Sequence, residues 1–515
     1  MRFLIILFLL INFCFGLNFK VASYNVENLF DLNYDKSEYK EFIPNSKAGW
    51  NQETYQKKLF NIAKVVKDLN ADILGLVEIE SLRALEDLMR SSKLYKYGYF
   101  IKNPNSAIGV AIVSKFPISK TAGMKIENGS KNDRYILEAD ININGKNLKV
   151  FISHWKSKKS PESDRIKYAK TLKNRIKNLP SDQDYIILGD LNSNYNEFET
   201  IKNDKKLNDS EGFTGINHIL GTIIDGDLVT KNKLLQNENL LYNLWLELPK
   251  EARFSETYRG GANTPDSMII PKALFDSKNI SYINGSFGVF KKDYFFKNGK
   301  ILRWKMKNNH HTGEGFSDHL PVFATFSTDK LYAVELEPTI NKTTKISDIY
   351  FQDELDRDSI LQDCVVLYKN GKTTIIKQVI NRSVVIYGEN KLIKDKVYDL
   401  KIKDIGTYYG LSEIKEFEVV NDKGYFAYPK RLWIDANKID IFDPKYTNEI
   451  IYNLLAFYNK GYLIFNDKKI KLYAKNKAIL PQNNKIVRLQ FGHLAIRNTR
   501  PQIIIYSKDQ YTYVS

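Results

Sequence analysis

The feature that most constrains the fold is a series of apolar, strand-like segments that each carry a polar side chain near their end. The segment FKVASYNV (19–26) contains Asn25, DILGLVEIE (72–80) contains Glu78, and LKVFISHWKSK (148–158) contains His154. Three later segments follow the same pattern and contain Asp190 with Asn192 (184–193), Asp266 (265–271), and Asp318 with His319 (315–326). Because an unpaired buried carboxylate is unfavourable, we expect these strand ends to converge on one polar cavity.

Helical patterns separate the strand-like segments. Apolar residues recur at helical spacing over residues 55–69 and again over 166–179, where Pro180 ends the pattern. A hairpin signal at 135–145 interrupts the alternation of strand and helix, so the sheets are expected to be mixed rather than purely parallel. The sequence therefore predicts a layered α/β domain over residues 17–328.

The pattern changes after residue 329, where β-branched alternation and Asn, Gly and Asp turns dominate. We predict a linker (329–343) and two small β-barrels (344–421 and 422–515), related by an internal duplication. Each has a Lys-rich hairpin, at 386–393 and 464–473, followed by a strand pair around an irregular tip. One short helical stripe is expected near 448–458.

The N-terminus resembles a signal peptide over residues 1–16, with Arg2 before an apolar run. Its removal would take Cys14 away and leave Cys364 without a partner, so no intrachain disulfide is expected. We therefore expect a secreted or periplasmic protein that has no stable membrane insertion after cleavage and is monomeric.

Basic residues are concentrated at the C-terminal end. The chain has a formal net charge of +17, and residues 460–515 alone carry 11 Lys and Arg against two Asp and Glu. A basic surface favours an acidic partner such as nucleic acid.

The predicted cavity would bring several carboxylates together, and a divalent cation would relieve their repulsion. An oxygen-rich set from Asn25, Glu78 and Asp318, completed by water, suits Mg²⁺ or Ca²⁺, with Mn²⁺ as a further possibility. Zinc is not favoured, because neither a cysteine nor a close pair of histidines belongs to the set.

In order and context, these motifs resemble the endonuclease/exonuclease/phosphatase superfamily, and SHWKSK with YNVENLFD is similar to its secreted bacterial nucleases. The resemblance covers residues 18–328 and implies a four-layer α/β sandwich. It also implies that Asn25, Glu78 and Asp318 hold the metal and that Asp190 and Asn192 contact the phosphate and the attacking water. Asp266 would orient His319 as a base or stabilising imidazolium, and His154 would be the acid. Asp190 is an alternative base, and Arg134 would bind phosphate.

The superfamily includes enzymes with different substrates, and the sequence favours nucleic acid. Lys156 and Lys158 follow His154 directly, and we predict that they bind phosphate. The first β module resembles an OB-fold through TYYGLSEI (407–414). Predicted nucleic-acid contacts in the two modules are Tyr408, Tyr409, Lys471, Arg488, Arg497 and Arg500. The sequence thus predicts a Mg²⁺-dependent nuclease acting on DNA, with RNA as a further substrate. The alternatives are a sphingomyelinase-like phospholipid phosphodiesterase and a non-catalytic nucleic-acid-binding protein.

Overall fold

The computed structural model describes residues 16–258, 260–297, 299–329, 343–352, 359–379 and 381–514. The predicted signal peptide and linker lie almost entirely outside these residues. Within the described ranges, no helix has the length and apolar character needed to cross a membrane. The chain forms two compact units, the first made of Met1–Leu244, Pro265–Lys297 and Ile301–Leu336, and the second of Trp245–Thr264, Asn298–Lys300 and Glu337–Ser515.

Two mixed sheets form the centre of the first unit. The first sheet has the strand order Ser281–Tyr282, Val322–Ser327, Asn18–Leu29, Ile73–Ile79, Gly109–Ser114, Tyr97–Ile101, and Gly288–Val289 also pairs with Val322–Ser327. The second has the order Leu241–Asn243, Asp266–Pro271, Tyr185–Asp190, Lys146–His154, Ile136–Ile143, Ile118–Met124. The sheets pack face to face, since a Cβ on Gly75 would lie only 2.2 Å from Leu188 Cδ1 of the opposite sheet.

Three long helices cover the outer faces of these sheets. Gln52–Leu69 and Leu82–Ser92 begin at the N-caps Asn51 and Ser81, whose side chains accept backbone N–H bonds. Glu162–Lys177 packs its buried side chains onto the second sheet. The resulting layers confirm the predicted four-layer α/β fold. The described residues also include the helices Glu197–Thr200, Lys231–Gln236 and Ile346–Ile349 and a π-helix at Gly215–Ile219.

Short strand pairs lie between the main elements. They are Ile223–Ile224 with Asp227–Leu228, Glu256–Tyr258 with Gly261–Asn263, Phe296–Lys297 with Lys300–Ile301, and Met306–Lys307 with His310–His311. Short 3-10 helices complete the elements at Lys40–Phe42, Leu244–Glu247, Lys250–Ala252, Lys272–Phe275, Asp293–Phe295, Pro429–Leu432, Ala436–Lys438, Pro444–Tyr446, Lys477–Ile479 and Lys508–Gln510.

A closed five-stranded barrel, here called barrel 1, begins the second unit's C-terminal part. Its strands are Ile360–Asn370, Thr373–Gln378, Ser383–Tyr387, Lys396–Tyr408 and Leu411–Tyr425. They pair in the order first, second, third, fifth, fourth, and the fourth strand returns to the first. The third and fifth strands are parallel, and every other pair in the ring is antiparallel. Thr343–Thr344 adds a short parallel strand at the edge.

The curled sheet that follows, here called barrel 2, repeats this order. Its first strand is broken at Asn453 into Ile450–Tyr452 and Leu454–Asn459. The remaining strands are Tyr462–Phe465, Lys468–Tyr473, a fourth strand in two pieces (Lys485–Leu489 and Gly492–Arg497), and Arg500–Ile504. The third and fifth strands are again parallel, and the fourth pairs with the first. The shared order fits the predicted duplication. Ile434–Asp435 and Tyr511–Tyr513 extend the sheet at its edges.

Two local predictions for these modules were wrong. The predicted helix near 448–458 is the broken first strand of barrel 2, because its inward residues alternate at a spacing of two. The predicted hairpin at 386–393 does not form, since the third strand of barrel 1 ends at Tyr387 and pairs with other strands. Asn390 instead ties this connection to Lys369, whose Nζ bonds its carbonyl oxygen at 2.8 Å.

A segment within the predicted α/β domain, Trp245–Thr264, clusters with the second unit. Glu251 accepts a hydrogen bond from Arg382 Nη2 at 2.7 Å, and the Arg382 guanidinium carbon lies 3.3 Å from the centre of the Tyr350 ring. The backbone N–H of Lys250 bonds the carbonyl of Tyr350 at 2.7 Å. This segment is therefore an integral part of the second unit's packing.

We predict that Arg382→Ala will lower the free energy of unfolding of the second unit by about 3 kcal/mol or more, because it leaves the buried Glu251 carboxylate without its charge partner. Urea unfolding followed by tryptophan fluorescence measures the change. Arg431→Ala is the control, because Arg431 is exposed and stacks on the exposed ring of Tyr428. Equal stability of the two variants would contradict a structural role for the buried pair.

Candidate active site

The register of the second sheet places three predicted residues side by side. His154 lies opposite Asp190 on parallel strands, and Asp190 lies opposite Asp266 on antiparallel strands. The strands come close at this end: a Cβ on Gly189 would lie 2.0 Å from the carbonyl oxygen of Ser153, and Gly189 has a φ of +131°. Only glycine fits this position. Strand pairing thus fixes an imidazole and two carboxylates in one row.

The first sheet brings its polar residues to the same end through an irregularity in its pairing. Asn25 pairs with Val77, and the register then shifts before Leu29 pairs with Ile79. Glu78 lies in this irregularity with a φ of +67°, which re-aims its side chain. Ser317 Oγ donates to the carbonyl of Asn25 at 2.7 Å and so fixes the start of the Asp318–His319 segment.

Glu78, His154 and Asp190 form a cluster of potential metal-binding atoms, with one ligand atom from each lying within 4.8 Å of the others. His154 Nε2 lies 3.5 Å from Asp190 Oδ2 and 3.8 Å from Glu78 Oε1. Asn25 Nδ2 contacts the same two carboxylates, at 3.0 Å from Asp190 and 3.2 Å from Glu78. Residues from both sheets therefore meet in one small volume.

His319 faces the cluster from the other side. Its Nδ1 lies 2.7 Å from Asp266 Oδ2 in a buried hydrogen bond. Its Nε2 lies 3.9 Å from both Asp190 Oδ2 and Asp318 Oδ1. Asp266 thus holds the ring with Nε2 directed toward the carboxylates, which is the pairing that the sequence predicts.

The carboxylates are crowded and poorly solvated. Burial raises the pKa of Glu78 to about 7, and the nearby charges of Asp318 and Asp190 add to this effect, while His319 opposes it. Burial is also the main cause of the raised pKa of Asp190. A bound cation would favour the ionised form of each group, so the electrostatics of the site fit a divalent metal.

The two histidines have opposite electrostatic environments. Burial lowers the pKa of His154 well below its ordinary value, and the Arg134 guanidinium lowers it further. Arg134 Nη2 lies 3.1 Å from His154 Nε2 and can only donate, so that nitrogen is the acceptor. For His319, burial would lower the pKa, but Asp266, Asp190 and Asp318 together raise it well above its ordinary value. Burial and Arg134 therefore favour the neutral form of His154, whereas the surrounding carboxylates favour the cationic form of His319.

The oxygen-rich donor set fits a divalent metal, but its members differ in part from the predicted ligands. Glu78 belongs to the tight cluster as expected. The side-chain oxygen of Asn25 accepts from the backbone N–H of Glu27 at 2.9 Å, and Asp318 Oδ2 lies 3.0 Å from Arg303 Nη2. The ligand roles of Asn25 and Asp318 stay predictions, and Asp190 and His154 are additional candidates.

The predicted phosphate-binding residues lie along one flank. Arg134 contacts His154 and also the carbonyl of Trp155, at 3.2 Å. Asn192 Nδ2 bonds the same carbonyl at 3.1 Å, and its backbone N–H bonds Asp190 Oδ1 at 2.9 Å. Arg134 and Asn192 are thus held beside the cluster, and their phosphate-binding roles stay predictions.

Lys156 and Lys158 form ion pairs with nearby carboxylates. Lys156 Nζ pairs with Asp133 and Lys158 Nζ pairs with the buried Glu197, each at 2.8 Å. Both charges are therefore already matched by carboxylates, and the phosphate-binding role of these lysines stays a prediction.

Three residues of this site were not predicted. Glu27 accepts hydrogen bonds from Arg303 Nε at 2.9 Å and from the backbone N–H of Trp304 at 2.8 Å. Lys58 is fully buried, donates to the carbonyl of Phe316 at 2.8 Å, and has a pKa lowered to about 8 by burial. Glu27 lies in the quoted motif YNVENLFD, whereas Arg303 lies in a loop without a periodic signal.

The predicted nucleic-acid contacts of the β modules fall into two groups. Tyr408 and Tyr409 form the exposed tip of the hairpin between the fourth and fifth strands of barrel 1. The corresponding tip of barrel 2 joins them: Asn498 N bonds the carbonyl of Tyr409 at 2.7 Å, and the Arg497 guanidinium carbon lies 4.7 Å from the Tyr409 ring centre. Arg500 follows on the same hairpin, while Lys471 and Arg488 are exposed on other strands of barrel 2.

Comparison with known proteins finds a family model that matches part of the first unit. The sequence model of the Endonuclease/Exonuclease/phosphatase family matches residues 20–220. No match was found among curated proteins. A solved structure of D. rerio TDP2, humanized by 14 mutations, is 13% identical with a TM-score of 0.39, covering 60% of this chain and 98% of its own.

Two bacterial structures are also similar. An endonuclease/exonuclease/phosphatase family protein from Bacteroides thetaiotaomicron is 13% identical with a TM-score of 0.38, covering 61% of this chain and 99% of its own. Beta toxin from Staphylococcus aureus is 19% identical with a TM-score of 0.35, covering 59% of this chain and 99% of its own.

We predict that Glu78→Gln will weaken the binding of Mg²⁺ by about tenfold or more, because it removes one charge from the cluster while keeping the side-chain shape. Calorimetric titration and the shift in Tm with added metal measure this loss without substrate. Glu86→Gln is the control, since Glu86 is exposed on the helix Leu82–Ser92. Unchanged metal affinity in Glu78→Gln would exclude Glu78 as a ligand.

Proposed function

We propose that the chain, whose residues 20–220 match the sequence model of the Endonuclease/Exonuclease/phosphatase family, is a metal-dependent nuclease. It would hydrolyse phosphodiester bonds of nucleic acid, with DNA as the main substrate and RNA as a further one. The observation that carries the proposal is the meeting of Glu78, His154 and Asp190 with the His319–Asp266 pair at adjoining ends of two sheets.

Each residue has a role that its contacts support. Asp190 would accept the proton of the attacking water, a role supported by Asn25 and the backbone of Asn192, which orient its carboxylate toward both imidazoles. His319, oriented by Asp266, would stabilise the negative charge that develops on the phosphoryl oxygens. Arg134 can donate to the same oxygens from the opposite flank.

The role of His154 depends on whether its imidazole ring is protonated. In the described geometry its Nε2 accepts from Arg134, so the leaving oxygen would receive a proton from His154 only after the ring is protonated. Its position beside both carboxylates supports a contact with the reacting phosphate in either state.

Mg²⁺, with Ca²⁺ or Mn²⁺ as substitutes, would be held by Glu78 and its neighbouring oxygen atoms and would supply Lewis-acid stabilisation of the phosphoryl group. These ions favour oxygen ligands, in keeping with a cluster of two carboxylates beside an amide.

Charge distribution supports nucleic acid as the substrate. The net charge of +17 and the excess of nine positive charges in residues 460–515 favour a polyanion over a zwitterionic lipid. The joined hairpin tips with Tyr408, Tyr409 and Arg497 support a role of the second unit in binding it.

We further propose that the protein is exported, to the periplasm or to the medium, and acts as a monomer without stable membrane insertion. The signal-like N-terminal segment supports export. Activity in cell-free culture medium and in a periplasmic extract, with size-exclusion chromatography coupled to light scattering, tests this part of the proposal.

We predict that His319→Ala and His154→Ala will each lower cleavage of circular DNA by about 10³-fold, because each removes a group that faces the reacting phosphate. The assay includes linear DNA, RNA and sphingomyelin, with Mg²⁺ or with excess EDTA. His310→Ala is the control, since His310 is exposed and outside the cluster. Sphingomyelin turnover without DNA cleavage, or DNA cleavage in excess EDTA, would contradict the proposal.

We predict that Arg497→Gln with Arg500→Gln will reduce the salt dependence of DNA binding, lowering the slope of log K against log salt by about one to two. The double variant removes two cations at the joined tips. The variant Lys391→Gln with Lys394→Gln removes the same charge from an exposed part of barrel 1 and serves as the control. An equal effect of both pairs would show that only net charge matters.

A further inference from the structure

The sheet of barrel 2 carries apolar side chains on both of its faces. On the inner side, alternate residues of its strands form a buried core. On the outer side, large apolar side chains are exposed by 37% to 46%, which is unusual for a sheet face in water. We call this surface the barrel 2 outer face and define it by Leu455, Phe457, Tyr462, Ile464 and Ile486.

The strand register makes these side chains neighbours. Phe457 pairs with Ile464 on one side and with Ile486 on the other. Leu455 pairs with Arg488, and Tyr462 pairs with Lys471. Because adjacent strands are about 4.8 Å apart, these residues form a continuous surface in which rings and aliphatic chains lie beside cations.

Three cations lie on this face. Lys469 pairs with Ile464, Lys471 with Tyr462 and Arg488 with Leu455, and the strands of the face contain no Asp or Glu. Lys469 Nζ lies 5.3 Å from the ring centre of Tyr462, which places a positive charge directly beside an aromatic surface. A second copy of the same face would be repelled, so the charge pattern requires an anionic partner.

We propose that the barrel 2 outer face binds single-stranded nucleic acid, with bases stacked on its rings and phosphates paired with its lysines and arginine. This inference rests on the proposed function and specifies its substrate class. A single strand presents unpaired flat bases together with regularly repeated negative charges, which matches alternating apolar and basic side chains. A duplex keeps its base faces inside the helix and would meet only the charges.

The exposure of the face also distinguishes a strand from a lipid surface. Its large apolar side chains are all at most half exposed, so they form a shallow platform rather than side chains that project far from the sheet. Insertion into the acyl region of a membrane requires projecting apolar groups. A platform of this kind instead suits stacking.

The test uses the full mature chain and an oligothymidylate of about 12 nucleotides in a buffer with EDTA, where binding is measured by fluorescence anisotropy without turnover. We expect Phe457→Ala with Tyr462→Ala to weaken binding of the single strand by at least about tenfold, and to leave binding of a duplex of equal length nearly unchanged. The control is Tyr387→Ala with Tyr425→Ala, which removes two exposed rings from barrel 1.

A second variant tests the charges without altering the apolar groups. Lys471→Gln with Arg488→Gln should weaken binding of the single strand and lower its salt dependence, since both side chains are exposed cations. Single-strand binding that is unchanged in both barrel 2 variants would overturn the inference. The inference would also be overturned if these variants lost binding to phosphatidylglycerol vesicles but still bound DNA.

Failure of this inference can be told apart from failure of the proposed function. Cleavage of circular DNA with Mg²⁺ tests the catalytic site, whereas binding in EDTA tests only the outer face. A wild-type protein that cleaves DNA but binds the oligonucleotide equally well in all variants would refute the inference alone. A protein that cleaves no nucleic acid and binds neither strand nor duplex would refute both.

Discussion

The mutual repulsion of buried carboxylates is the constraint on which the first unit depends. Glu78, Asp190, Asp266 and Asp318 meet where two packed sheets end, with little water to screen them. The local backbone adapts to bring them there: Glu78 and Asn192 have left-handed backbone angles, and Gly189 allows two strands to approach closely. Unfavourable conformations of this kind persist only where the surrounding structure enforces them. The regular sheets supply that enforcement.

Fixed cations relieve part of this repulsion. Three carboxylates around His319 favour its cationic form, Arg303 joins Glu27 to Asp318, and the buried amino group of Lys58 lies nearby. These groups serve the Asp318 side of the site. Glu78 still has a raised pKa despite them, because burial and the nearby charges of Asp318 and Asp190 outweigh the effect of His319. A metal at Glu78 would therefore relieve the electrostatic repulsion that the protein's own cations do not neutralise.

The sequence was sufficient for the parts of the fold that depend on local periodicity. The strands that carry Asn25, Glu78 and His154 and the two amphipathic helices were predicted from apolar spacing alone, and the structure confirms them. Periodicity failed at 448–458, where a strand broken at Asn453 imitates a helical spacing. Periodicity also gave no sign of Arg303. This residue lies in an irregular loop and joins the site only through its contact with Glu27, which lies far earlier in the chain.

Non-local packing also explains why the linear division of the chain was incomplete. The chain leaves the first unit after Leu244, contributes Trp245–Thr264 to the second, and returns at Pro265, immediately before Asp266. In the second unit, Glu251 is held by Arg382, and a Cβ on Gly260 would lie 3.7 Å from Asn498 of barrel 2. Asp266 in turn orients His319. The residue that positions the imidazole is thus joined covalently to a segment anchored by the accessory barrels.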